Sequence, residues 1–377
     1  MAKKINIYLL CIIAFLQGLI FYGPVATLYR QSRGLNMYDI FIIESVFMVL
    51  MLLFEIPWGY FADKFGYKLT LIVSNILLFI SKIVFFEAHS FSLFLLERII
   101  LAIAFAGVSG CDIALLYSSI DKDKSEKIFG IYTAVGSLGF LIACLLSTPM
   151  VMRSLDYTAL MTIIPCGIAA ILTFFLKDTV YSKTAEGTTF KTSLRGLLDN
   201  KRIIMLVLSA ALFGEVSHSV TVFLNQPQYL KSGINLSLFG VISALVQITA
   251  IFSTKTHSIT RRFGQAKIIE ALLIILTLSC LFLIFTNNPI LSILFIILAG
   301  GSLSIAQPAI LDIQNKSIIT NNRATMLSMY AMSGDILSAL VNPIIGKAAD
   351  ISLPAAFMTC TVFSFIGLLL AMVYFKK

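Results

Sequence analysis

Glu215 and His218 stand three residues apart within an apolar stretch, and Arg98 and Asp112 stand fourteen apart within another. A carboxylate and an imidazole at i, i+3 share one face of a helix. Together they can bind and release a proton near neutral pH, the chemistry of proton coupling. The same spacing also suits a hydrogen-bonded packing pair. Fourteen residues along a helix return to within ~40° of the starting face, so Arg98 and Asp112 can face one cavity. They are also ~21 Å apart along the axis, too far for a direct pair. Glu44, six residues into one apolar stretch, and Lys82, five residues from the end of the next, match in depth and read as a structural ion pair.

These groups matter because of the elements that hold them. Of the 377 residues, 58% are hydrophobic and only 12% are charged. A soluble chain carries about twice that share of charge. Mean hydropathy is +0.94. A bilayer span takes ~20 apolar residues, and twelve such stretches lie at 5–29, 38–60, 69–87, 91–117, 128–150, 157–176, 202–224, 235–254, 266–286, 289–313, 326–346 and 354–375. They are numbered as spans 1 to 12. The expected class is an all-α polytopic membrane protein. A soluble enzyme or a nucleic-acid-binding domain does not fit this composition, so the net charge of +9 reads as topology. The six cysteines all lie in apolar stretches without a CxxC or Cys/His cluster, which points away from disulfides and metal. No Walker-type phosphate loop or HExxH motif occurs, so neither a self-contained ATP-driven pump nor a membrane enzyme is expected, and no cofactor is implied.

Of the 28 Lys and Arg residues, 21 fall on the face that holds the N-terminus and 5 on the opposite one. The positive-inside rule then places both termini in the cytoplasm. The basic stretch 177–201 separates an N-terminal bundle, 1–176, from a C-terminal bundle, 202–377. The halves share traces of a repeat. Ala62-Asp-Lys-Phe-Gly66 recurs as Thr260-Arg-Arg-Phe-Gly264, 198 positions later, and Tyr132 and Gly136 meet Tyr330 and Gly334 at the same offset. Parallel repeats of this kind place a substrate site between the halves.

The strongest local motif is Gly59-Tyr-Phe-Ala-Asp63-Lys64-Phe-Gly66-Tyr-Lys68, read as a short loop between spans 2 and 3 in which Gly59 and Gly66 permit a tight turn. Asp63 suits a helix N-terminus, where the dipole favours an anion. At these residues the chain resembles the major facilitator superfamily, whose loop 2–3 signature this stretch matches, with Tyr67 where a basic residue is usual. Glu55-Ile-Pro-Trp-Gly59 and Cys111-Asp-Ile-Ala-Leu-Leu-Tyr117 are similar to a bacterial branch of drug and solute permeases.

The resemblance implies two pseudo-symmetric six-helix bundles that rock around a central cavity. It implies that the signature, with Asp63 capping the start of span 11 near Arg323-Ala-Thr-Met326, latches the cytoplasmic side. Arg98 occupies the place of the family's span 4 arginine, which is implicated in proton transfer. Ser118 stands where many relatives carry an acid, and span 5 lacks the GPxxGG pattern of antiporters. Proton-coupling candidates are Asp112, Glu215, His218 and Arg98. Gln17, Tyr22, Gln247, Gln307 and Asp335 are candidates for the substrate-cavity wall. The expected function is a monomeric secondary transporter of the plasma (inner) membrane. It moves a small organic solute by alternating access with protons as the coupling ion. Efflux of an amphipathic compound comes first. Uptake of a nutrient, or a lipid flippase or receptor on the same scaffold, is the alternative.

Overall fold

The computed structural model describes residues 2–120, 125–177, 201–250, 253, 256–318 and 323–376. Every regular element among them is helical. Ten helical segments of the described residues are long and apolar enough to cross a bilayer. The other two expected spans are also helical. Span 8 is described as a 3-10 turn, Leu236–Leu238, and a short helix, Phe239–Ile248. Span 11 is the 29-residue helix Arg323–Ile351, which carries Asp335, Asn342, Lys347 and Asp350 along its length. In lipid, only structures that satisfy their own backbone groups can span, and helices do so within one segment. The expected linker, 177–201, falls almost wholly outside the described residues.

The chain forms two compact units. One comprises residues 1–35, 46–185 and 236–241, and the other 36–45, 186–235 and 242–377. In the first, span 3 packs on spans 4 and 6, and span 1 on spans 5 and 6. In the second, span 9 packs on spans 10 and 12, and span 7 on spans 11 and 12. The same pairs thus recur. The offset of 198 recurs as well, in features that stop and start helices. Gly66 and Gly264 are single-residue turns at φ 86° and 87°. Ser90 and Asn288 cap spans 4 and 10, and Ser154 and Ser352 cap spans 6 and 12. Side-chain oxygens at these positions accept from the backbone N–H groups that a helix start leaves orphaned.

Several expectations about continuity change. Span 1 is a helix, Ala2–Gly18, then a 3-10 turn, Gly23–Val25, and a second helix, Ala26–Ser32. Gly18 is needed where it stands, since a Cβ there would lie 2.4 Å from the carbonyl oxygen of Gly136. Span 4 is likewise two helices, Phe91–Val108 and Cys111–Ser118, parted at Ser109 and Gly110. Gly110 takes φ 79° with nothing near its absent Cβ, so its role is backbone freedom, not close packing. The uninterrupted 100° count from Arg98 to Asp112 therefore fails. Span 7 runs further than expected, as Lys201–His218, a π-helix Ser219–Leu224, and Asn225–Lys231. The motif at 59–68 is not a loop either. Span 2 stays helical from Met37 to Phe65, span 3 begins at Tyr67, and Gly66 alone makes the turn.

Candidate functional site

In the first unit the break in span 4 sets the polar centre. It places Asp112 in the first turn of the helix Cys111–Ser118, where a carboxylate meets free backbone N–H groups. Asp112 Oδ1 accepts from the N–H of Ile113 at 2.7 Å, and Oδ2 accepts from the Tyr132 hydroxyl of span 5 at 2.6 Å. Gln17 of span 1 donates to Asn75 of span 3 at 2.6 Å. These four residues share a small cavity with apolar neighbours such as Leu10 and Leu71. Asp112 and Gln17, two of the sequence candidates, are thus brought together, and Asn75 and Tyr132 join them.

A second buried polar cluster in this unit sits between spans 1, 3 and 4. Lys82 is buried and donates to the Tyr22 hydroxyl at 3.0 Å. Tyr22 stacks on Phe85, with ring centroids 4.1 Å apart. Glu97 is fully buried with neither carboxylate oxygen hydrogen-bonded, and Arg98 Nε lies 3.8 Å from it. Arg98 also lies over the Phe47 ring. Glu97 has electrostatic contact with Lys82. Glu44, the partner expected for Lys82, falls within the second unit. Glu97 escaped the sequence reading. Its signal was present, because it lies six residues into span 4, at the depth of Lys82 in the antiparallel neighbour.

In the second unit, Glu215 is buried and accepts from the Ser219 hydroxyl at 3.0 Å. Ser338 of span 11 also donates to it, and His218, Glu44 and the Cys360 thiol of span 12 are titratable groups that face it. The His218 ring meets Phe223 edge-on at 5.3 Å, and its Nδ1 is buried with no hydrogen-bond partner. The α-helix holds up to His218, so Glu215 and His218 do share a face; the π-helix begins one residue later. Such π segments recur at functional sites. The remaining wall candidates, Gln247, Gln307 and Asp335, are exposed on spans 8, 10 and 11, in contrast to the buried Glu215.

The signature residues close span 2. Asp63 and Lys64 occupy its exposed last turn, Lys64 lies over the Phe65 ring, and Lys68 lies just past the Gly66 turn. Gly59 has open space around it and is neither a turn nor a close contact. The side chains of Arg323, Ala324 and Thr325, toward which the Asp63 cap was expected, lie outside the described residues. The described residues contain no cluster of three or more His, Cys, Asp or Glu that could hold a metal ion.

At the terminus-bearing ends the units differ. Asn6 seals the first by donating to Ser119 and to the Lys177 carbonyl, and by accepting from the Lys177 N–H. The second holds a cavity of 490 Å³ lined by residues that include Arg202, Gln265, Ser317 and Tyr374.

Comparison with known proteins places this architecture. The family model described as Major Facilitator Superfamily matches residues 8–342. An uncharacterized MFS-type transporter of Bacillus subtilis, YxaM, is 23% identical, with 93% of this chain and 90% of that protein covered. The quinolone resistance protein NorA of Staphylococcus aureus is 27% identical over 146 residues, 38% of this chain and 37% of NorA. Among solved structures, the nucleoside transporter NupG superposes with a TM-score of 0.82 at 16% identity, covering 99% of this chain and 99% of that one. Matched along most of its length and folded as its members are, the chain belongs to the major facilitator superfamily of membrane transporters.

Proposed function

We propose that the protein is a proton-coupled secondary transporter of the plasma membrane that exports a small amphipathic solute by alternating access, with both termini in the cytoplasm. The carrying observation is Glu215. A carboxylate buried in a span costs several kcal/mol, and a glutamine would make the same hydroxyl contacts with less penalty. Glu215 instead stands one turn from His218, on an α-helix that passes into a π segment at Ser219. Asp112, held by Tyr132 in a broken span, is the second coupling group. Alternation works if each carboxylate meets water in one state and is shut from it in the other, so that the two states differ in proton affinity. Gln17, Tyr22, Gln247, Gln307 and Asp335 contribute to the solute wall, and Arg98 tunes the first bundle. Glu44 and Lys82 fix helix packing, and Gly59, Asp63, Lys64, Gly66 and Lys68 form the cytoplasmic latch.

The direction of transport is supported by the partial likeness to a quinolone resistance protein and by the low share of charged residues, 12% of the chain. The test uses inside-out vesicles with an imposed proton gradient, offering a quinolone and a panel of amphipathic dyes. Gradient-dependent accumulation inside the vesicles is expected. Accumulation only in right-side-out vesicles overturns export and leaves uptake, the reading favoured by the missing GPxxGG pattern of span 5.

A further inference from the structure

Span 2 begins with an unfinished cap. Its first helical residues are Met37, Tyr38 and Asp39. A helix start leaves four backbone N–H groups without intrahelical acceptors. Asn36 and Asp39 cap each other reciprocally: Asp39 N–H donates to Asn36 Oδ1 at 2.7 Å, and Asn36 N–H donates to Asp39 Oδ2 at 3.2 Å. The next N–H, that of Ile40, reaches the Asn36 carbonyl at 3.3 Å. The N–H groups of Met37 and Tyr38 are beyond this local arrangement. Both are taken by one carboxylate more than 300 residues away: Asp350 Oδ1 accepts from Met37 at 2.8 Å and Oδ2 from Tyr38 at 3.2 Å.

Asp350 is the penultimate residue of span 11. One turn before it, Gly346 makes room for the same segment, because a Cβ there would fall 2.7 Å from Phe41 Cβ and 3.0 Å from Tyr38 Cα. Phe41 is fully buried and its ring meets Phe223 at 5.0 Å. Residues 36–45 accordingly belong to the compact unit of span 11, although the rest of their helix belongs to the other. The contact is a side-chain-free seat followed by an anion set on a helix dipole.

We propose that Asp350 is a positioning residue of the transport cycle: an outer latch that holds the start of span 2 on the end of span 11 and is released when the protein opens outward. Asp63 lies in the last turn of span 2, the helix whose start Asp350 caps. The assignment rests on the alternating-access cycle proposed above.

The test uses two buried reporters in a background with the six native cysteines replaced: Ser45→Cys, two turns into span 2, and Met326→Cys, near the start of span 11. An impermeant maleimide is applied to right-side-out vesicles for the first and inside-out vesicles for the second. Asp350→Ala is expected to raise Ser45→Cys labelling about fivefold, the shift that losing a helix cap of ordinary strength gives, and to lower Met326→Cys labelling. Gly346→Ala, which keeps the acid and spoils the seat, is expected to shift both in the same sense and serves if Asp350→Ala does not fold. Asp63→Asn is expected to shift both the opposite way. Asn36→Ala weakens the cap locally without touching Asp350, so it is expected to lower thermal stability and leave the reporters in place. If Asp63→Asn moves the reporters oppositely while Asp350→Ala and Gly346→Ala leave them still, the outer latch is wrong and the cycle stands. If the reporters rise and fall together in every variant, the cycle itself is overturned.

Discussion

The two units repeat the same helix pairings but fill them differently. In the first, spans 1 and 5 cross on glycine: a Cβ on Gly18 would lie 2.4 Å from Gly136 O, and one on Gly139 would lie 2.3 Å from Phe15 O. In the second, spans 7 and 11 meet without such contact, since a Cβ on Gly334 would find only Ala211 Cβ at 3.7 Å and Gly214 has open space. The polar centres diverge in the same way. Asp112 is reached by breaking a helix at Gly110 and is held by a phenol, whereas Glu215 sits in an unbroken helix that then widens into a π segment, beside hydroxyls and an imidazole. A duplicated backbone fixes which helices touch. It does not fix which side chains do the chemistry, because each position since duplication is free to change within the same packing.

Neutralising the two carboxylates separately puts the contrast under most strain. Glu215→Gln is expected to lower proton-driven accumulation by about 100-fold or more while solute binding persists, as loss of a coupling group differs from loss of a binding one. Asp112→Asn is expected to do the same. If both variants still concentrate solute with unchanged pH dependence, neither centre is the coupling site. Removing one hydrogen bond from each centre is a smaller perturbation. Tyr132→Phe and Ser219→Ala each cost about 1 kcal/mol, a several-fold fall in transport rate. Equal losses from these single contacts and from the carboxylate changes would show that packing, not charge, is what matters.

Packing itself separates the units. Gly18→Ala is expected to destabilise the protein by about 1–3 kcal/mol through overpacking, read as a lower melting temperature in detergent, while Gly334→Ala leaves it nearly unchanged. Similar shifts in both would remove the asymmetry between the units. The smallest expected effect is that of His218→Ala, a displaced pH optimum for transport with little change in maximal rate. An unmoved optimum would make His218 a packing partner of Phe223 only.

Much of the architecture was legible along the chain. The spans, the N-to-C repeat and the turn at Gly66 all followed from apolar run length, offset and glycine placement. The sites were legible by residue type but not by partner. Lys82 was matched to Glu44 by depth, and the same depth describes Glu97, which the structure places within its electrostatic reach. Arg98 and Asp112 were put on one face by assuming an unbroken helix, and Gly110 breaks it. The Ser109-Gly110 pair carried a sign of the interruption, but the apolar run continues past it, and hydropathy reports burial and not backbone direction.

Run length and offset alone establish a helical membrane protein with a duplicated plan. In hydrocarbon every backbone group must be satisfied by the protein itself, and a helix does so within one segment, so an apolar run of some twenty residues reads as a helix. The pairing of polar side chains emerges only once the helices are packed: Tyr22 with Lys82, Tyr132 with Asp112, Asp350 with the start of span 2. Those pairs join residues 20 to 313 positions apart. They depend on how each helix is rotated about its axis and where it breaks, quantities that hydropathy does not encode.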